Sequence, residues 1–384
     1  MESSALVYVF LTVVTIFLAC FVQRFCYVGQ SGAALCGQNS GKGAIPGSRG
    51  YVRSTVAEFA IFCLLTGVSA CRIAVGNDYW VYRFNFRLIA QERHVSSEFG
   101  FNLIVKWMQK LFGYDNYLPI FALFSILTVW FFVRALHGQA VNYVFSVFLL
   151  MTGGYYFNSL NTVRYYLALA IALYSMQYVL REEYGKFLLW ILFGAVFHKS
   201  ILLVIPVYLT AYFLAKAVGK GRLKRWHYAV GLLFVASLIF CQNIYREIIF
   251  YFYPYYRNSA FDTGNISWVN ILKCVGTLAL CAVCYKWSLR ENLVNRFYFF
   301  LNGMALVVYP CGSFVPEVSR VGYYLIISQI FLLPAVIGEI PIKWFRRLCY
   351  VGVVGAFTCY FVLLLKGMYA TDIRLLPYLN WIFD

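Results

Sequence analysis

The stretch FGAVFHKSILLVIP, residues 193–206, sets a histidine and a lysine in the middle of an apolar run. What that means depends on the solvent around the run, and composition decides the solvent. Hydrophobic residues make up 62% of the chain and charged residues 12%, with a mean hydropathy of +0.71, outside the range of soluble domains. Apolar stretches long enough for a hydrocarbon core of about 30 Å recur near residues 5–22, 56–75, 117–136, 140–157, 165–180, 187–214, 228–242, 268–286, 297–311, 321–338 and 348–366. The expected fold is therefore an all-α, polytopic membrane helix bundle of about eleven or twelve spanning or half-spanning segments, forming a single integral membrane domain over residues 1–384. The first segment is expected to stay as an anchor, because MESS carries no Lys or Arg before it. A net charge of +17 would point to nucleic acid in a soluble chain. Here topology accounts for much of it, and no nucleic-acid partner is expected.

Lys and Arg gather in alternate loops: Arg24, Lys42, Arg49 and Arg53; Arg134; Arg181 and Lys186; Lys216, Lys220, Arg222, Lys224 and Arg225; Lys286, Arg290 and Arg296; Lys343, Arg346 and Arg347. These loops are expected to face the cytoplasm. The run 187–214 then begins and ends at cytoplasmic loops and must cross an even number of times. Its first half, residues 187–198, rises only about 18 Å at about 1.5 Å per residue, too little to span. The chain is expected to turn back near His198 and Lys199, where broken backbone is tolerated only if buried in protein or lining a wet cavity. His198 and Lys199 thus mark the floor of a cavity open to the outer face, with interfacial snorkelling as the plain alternative. Arg164, leading RYYLALAIALYSMQY, and Arg320, in PEVSRVGYYLIISQ, lie at outer helix ends against the positive-inside bias. Together with His198 and Lys199 they point to an anion-binding cavity.

Two outer loops carry the remaining candidates. In residues 76–116, Phe99, Leu103, Ile104, Trp107, Met108 and Leu111 share one helical face, the pattern of an interfacial amphipathic helix. Glu98 stands in its first turn, where a carboxylate suits the helix dipole whatever else it does. Asp78 directly follows a membrane segment and neighbours Tyr79, Trp80 and Tyr82, a carboxylate beside aromatic rings that serve either as a sugar platform or as belt residues. Residues 243–267 repeat the aromatic theme around Pro254 and Asp262 and are also expected to hold interfacial helices. Cys281-x-x-Cys284 has no second pair at metal-ligand spacing, so no metal site and no cofactor are expected. GKGAIPGSRG (41–50) lacks a phosphate-loop pattern and reads as a connection. Glu58 reads as structural, and Lys273 either joins the cavity or reaches the headgroups.

Gly76-x-Asp78-Tyr79-x-x-Tyr82, Glu98-x-Gly100-Phe101, the Arg164-led helix, Phe197-His198-x-Ser200, Arg320-x-x-Tyr323-Tyr324 and Pro377-Tyr378 together resemble the Wzy-type polysaccharide repeat-unit polymerases, in particular the EpsG-like family, over roughly residues 55–380. The resemblance implies a membrane glycosyltransferase of the bacterial cytoplasmic membrane with its active site facing outward. It would move a growing glycan from a polyprenyl diphosphate, such as undecaprenyl diphosphate, to a lipid-linked acceptor repeat unit, making exopolysaccharide, O-antigen or capsule. A GT-C-like architecture is compatible with it, and its partners would be the lipid-linked oligosaccharide, the bilayer, and a flippase and chain-length regulator of the same pathway. In such an enzyme Arg164, Lys199 and Arg320 would hold the diphosphate. Asp78 is the first choice of base, with Glu98 or His198 in reserve, and Tyr79 and Tyr82 would meet the glycan. A single-transfer ligase of the O-antigen type and a flippase for lipid-linked glycans are the alternatives.

Overall fold

The computed structural model describes residues 2–24, 49–95, 97–222, 225–252, 254, 257, 266–314, 318–370 and 373–382. Asp262 and residues 41–48 of the first connection lie outside them. The described chain is helical, as the apolar periodicity predicts, and forms two compact units, residues 1–202 with 342–384 and residues 203–341.

The first unit contains α1 (Glu2–Arg24), α2 (Arg49–Ala70), β1 (Arg72–Ile73), α3 (Asp78–Ala90), α4 (Phe99–Phe112), α5 (Leu118–Gln139), α6 (Tyr143–Thr152), α7 (Tyr155–Asn158), α8 (Val163–Leu180) and α9 (Tyr184–Ala195). The second contains α10 (Val204–Gly219), α11 (Arg225–Phe240), α12 (Gln242–Phe252), α13 (Trp268–Val283), α14 (Tyr285–Ser288), α15 (Leu293–Cys311), α16 (Val318–Ile326) and α17 (Gln329–Gly338). The chain then returns to the first unit with α18 (Lys343–Gly367) and β2 (Leu379–Asn380). A short 3-10 turn, Lys199–Leu203, leads into α10. Among the described residues six helical stretches are long and apolar enough to cross a membrane: residues 4–24, 52–70, 118–139, 199–219, 318–338 and 343–367. The protein is a polytopic membrane helix bundle. The expected segments near 140–157 and 187–214 are broken in the structure, and the segment near 228–242 is followed by a bend of 76° into α12.

The breaks have local causes. Asn142 caps α6 by accepting the Phe145 N–H at 3.0 Å, so α6 starts cleanly. It ends at Gly153 and Gly154, the latter at φ +82, a conformation that suits glycine. A Cβ on Gly154 would stand 2.6 Å from Leu364 Cδ2. The chain resumes as the single turn α7 and then as the almost wholly buried α8, which packs against α5 and α9.

One buried cation organises the same unit. Arg72 is 1% exposed; it donates to the Ser69 carbonyl and, at 3.1 Å each, to the Ser69 and Ser125 hydroxyls. Its guanidinium lies 5.1 Å from the Phe121 ring centroid. With no carboxylate beside it among the described residues, burial holds it at about 10, below its ordinary value. The C-terminal segment closes over this region. Arg72 pairs with Asn380 in the two-stranded sheet, the Tyr378 hydroxyl donates to the Val68 carbonyl at 2.8 Å, and Tyr8 donates to the Leu375 carbonyl at 2.7 Å.

Candidate functional site

The site is built where the turn before α3, the start of α4, the start of α8 and the break after α9 meet. Gly76 makes the turn. Its φ is +91 and a Cβ there would stand 2.9 Å from the Asn161 Cα, while its N–H donates to the Arg374 carbonyl at 2.7 Å. The C-terminal segment thus fixes the turn that launches α3. Asp78, the first residue of α3, is half-buried; its backbone N–H donates to Asn161 Oδ1 at 2.9 Å, and its Oδ2 accepts the Thr162 hydroxyl at 3.0 Å. Gly76→Ala is expected to cost about 1–3 kcal/mol of strain and to lower the thermal unfolding midpoint of the detergent-solubilised protein; an unchanged midpoint would show that the turn tolerates a side chain.

Glu98 is the hub of the second half. One carboxylate oxygen, Oε2, accepts from Arg164 Nη1 in an ion pair. The other, Oε1, accepts the Lys199 backbone N–H at 3.4 Å and lies 3.6 Å from His198 Nδ1. Arg164 is held from its other side by rings, 5.1 Å from the Phe101 centroid and 5.8 Å from that of Tyr82. Its backbone N–H approaches the Tyr82 hydroxyl at 3.5 Å. His198 packs edge-on against Tyr165, centroids 5.6 Å apart. The α4 start and the α9 break come this close only because residue 100 is glycine: its N–H donates to the Val196 carbonyl at 3.2 Å, and a Cβ would fall 2.0 Å from Val196 Cγ1.

The structure therefore brings Glu98, Arg164, His198 and the Lys199 backbone into one cluster, with Asp78 one helical turn before Tyr82, the ring over which Arg164 lies. The Lys199 ammonium belongs to an exposed residue; it is the main chain of Lys199 that meets Glu98. Arg320 belongs to the second unit, at the third position of α16, half-buried. Tyr79 and Tyr82 are 2% and 5% exposed, so both rings are packed into the protein. Tyr79 stacks on Phe121 with centroids 4.9 Å apart. Tyr82 packs against Phe101 and Phe121, and burial pushes its phenol above its ordinary value. The exposed ring beside Asp78 is Trp80, 46% exposed.

The amphipathic α4 is present, with Phe99, Leu103, Trp107 and Leu111 exposed. Met108 corrects the single-face expectation: it turns inward with Phe101 and Val105, because α4 also packs against α3 and α5. Sequence reading missed Asn161 and Thr162, which hold Asp78. Their position just before the apolar periodicity of α8 is a helix-start signal that could have drawn attention to them. It also missed Arg72, whose motif-free surroundings gave no sign of it. Among the described residues no group of three or more His, Cys, Asp or Glu side chains is placed to hold a metal ion.

The family that this polytopic membrane chain matches places it in the class of polysaccharide-polymerase-like membrane proteins. Residues 56–380 match the EpsG family, and the chain belongs to that family. No curated protein and no solved structure matches it.

Proposed function

We propose that the protein is a polymerase of polysaccharide repeat units. It transfers a polyprenyl-diphosphate-linked glycan to the sugar of a second lipid-linked repeat unit at the outer face of the cytoplasmic membrane. The observation that carries this reading is the Glu98–Arg164 pair beside His198 and the Lys199 N–H. Arginine, a backbone N–H and an imidazole surround a carboxylate there, and the same donors suit a phosphate oxygen.

In this reading Arg164 and the Lys199 N–H stabilise the charge that develops on the leaving diphosphate. Its guanidinium is aimed by Phe101 and Tyr82, so little reorganisation is needed as the bond to the sugar breaks. Asp78 takes the proton of the attacking hydroxyl. Its Oδ2 already accepts from Thr162, which orients the carboxylate and leaves Oδ1 for the acceptor, and positioned proton transfer contributes roughly 10²- to 10⁴-fold. Glu98, with both oxygens engaged, serves better to position Arg164 than as a base. His198 is the reserve base or a donor to the diphosphate. Trp80 offers the sugar-stacking face, with Tyr79 edge-on beside it. Arg320 is a second cation for a lipid phosphate in its own unit.

Cells lacking the protein test the reading against both alternatives. Loss of a polymerase leaves single lipid-linked repeat units accumulating on the outer leaflet and no polymer. Accumulation on the inner leaflet would identify a flippase instead, and lipid-linked polymer left unattached would identify a ligase.

A further inference from the structure

The second unit holds a cavity of about 760 Å³ between α10, α11, α15 and α16, within the roughly 300–1,000 Å³ of ligand pockets. Its walls are hydrocarbon and ring faces: Val207 and Leu214 of α10, Phe234 of α11, Phe300 and Val307 of α15, and Leu325 of α16 are among them. Tyr208 and Tyr324 also line it, yet the Tyr208 hydroxyl is committed to the Tyr324 carbonyl at 2.7 Å, so these residues add ring surface and few polar partners. Such a space is poorly suited to water, which needs two to four polar partners. Leu203 and Phe234, at 49% and 56% exposed, leave it open along one side. From Leu203 to Leu214 the lined stretch rises about 16 Å, close to half of the roughly 30 Å hydrocarbon core.

We propose that this cavity binds the polyisoprenoid chain of a lipid-linked substrate, which rests on the lipid-linked reading above. Two features favour a methyl-branched, unsaturated chain over a straight acyl chain. Gly231 and Gly303 line the cavity and have no atom within 4 Å of the place a Cβ would take, which widens it for branch methyls. Four aromatic rings, those of Tyr208, Phe234, Phe300 and Tyr324, supply flat faces to isoprene double bonds. Charge fits a phosphate end: Arg320 lies one turn before Tyr324 on α16.

The test uses the full chain in lipid vesicles with a diazirine-bearing polyprenyl phosphate that carries no glycan, and maps cross-links by mass spectrometry. Labels are expected within residues 203–214, 231–235, 300–308 and 321–325, displaced by unlabelled polyprenyl phosphate and at least tenfold less well by dioleoyl phosphatidic acid. Gly303→Leu and Gly231→Leu, which fill open space, are each expected to cut labelling at least tenfold, while Gly276→Leu, on α13 and also in open space, keeps it. Labels elsewhere, undiminished labelling of both cavity variants, or equal displacement by phosphatidic acid would overturn the proposal. Cavity labelling in a protein that makes no polymer would uphold it and sink the polymerase reading. Normal polymer from Gly303→Leu without labelling would do the reverse.

Discussion

Arg164→Ala is expected to abolish detectable polymer while the protein remains in the membrane at its normal abundance. The two readouts separate because the side chain does two unequal jobs. Structurally it is one member of a partly exposed pair, 26% exposed against 11% for Glu98, and pairs of that kind contribute little to stability. The helix that carries it is fixed by apolar packing along α8, almost every residue of which is buried. Chemically, in the proposed reaction, it is a guanidinium whose direction is set by two ring faces and a carboxylate, and removing a single preorganised donor from charge that develops in a transition state costs about 10²- to 10³-fold. Arg164→Lys keeps the charge and loses the planar fork, so an intermediate loss is expected. Glu98→Gln keeps the shape of the hub and releases Arg164 from its ion pair; its activity is expected to fall less than that of Arg164→Ala. Gel analysis of the glycan with immunoblotting of membranes reads both quantities. A fully active Arg164→Ala protein would remove Arg164 from the site.

The second large effect is steric. Gly100→Ala places a Cβ 2.0 Å from Val196 Cγ1 and 3.0 Å from the Val196 carbonyl oxygen, at the point where α4 docks on the break after α9. Overpacking of this kind costs typically 1–3 kcal/mol, and here the displacement is passed on within two residues to Glu98 and within two on the other side to His198. A several-degree fall in the unfolding midpoint and a severe loss of polymer are expected together. Val196→Ala removes the clashing methyl groups, so in the Gly100→Ala background it should restore part of both; the carbonyl contact remains. Thermal unfolding and product analysis of the four proteins in the cycle measure the coupling. Independent, additive effects of the two substitutions would mean that the two segments do not press on one another as described.

Much of this site was legible before any coordinates. The break at His198–Lys199 follows from arithmetic: twelve residues of helix are too short for a membrane, and α9 does end at Ala195. Arg164 stood out because a cation at a helix end expected to face outward runs against the charge bias of the loops. What the residues around them would do was less accessible. Glu98 has an adequate local excuse at the start of α4, and only the fold reveals that its two oxygens meet groups 66 and 101 positions away in the chain. Tyr79 and Tyr82 looked like a surface because they neighbour an acidic residue after a span. A helix has two sides, and α3 turns both rings toward α5 while Trp80 and Val81 point away. The same ambiguity split the apolar positions of α4 into an exposed stripe and a buried one. Arg72 was invisible for a different reason: its partners are hydroxyls, carbonyls and a ring, none of which forms a pattern that charge-counting can detect.

The most direct measurement of the central claim is the size of the product made by the purified protein in lipid, with the lipid-linked repeat unit as sole substrate. A ladder of multiples of the repeat unit is expected from the unaltered protein and none from Arg164→Ala. An unelongated lipid-linked unit in both samples, or the same ladder from both, would contradict it.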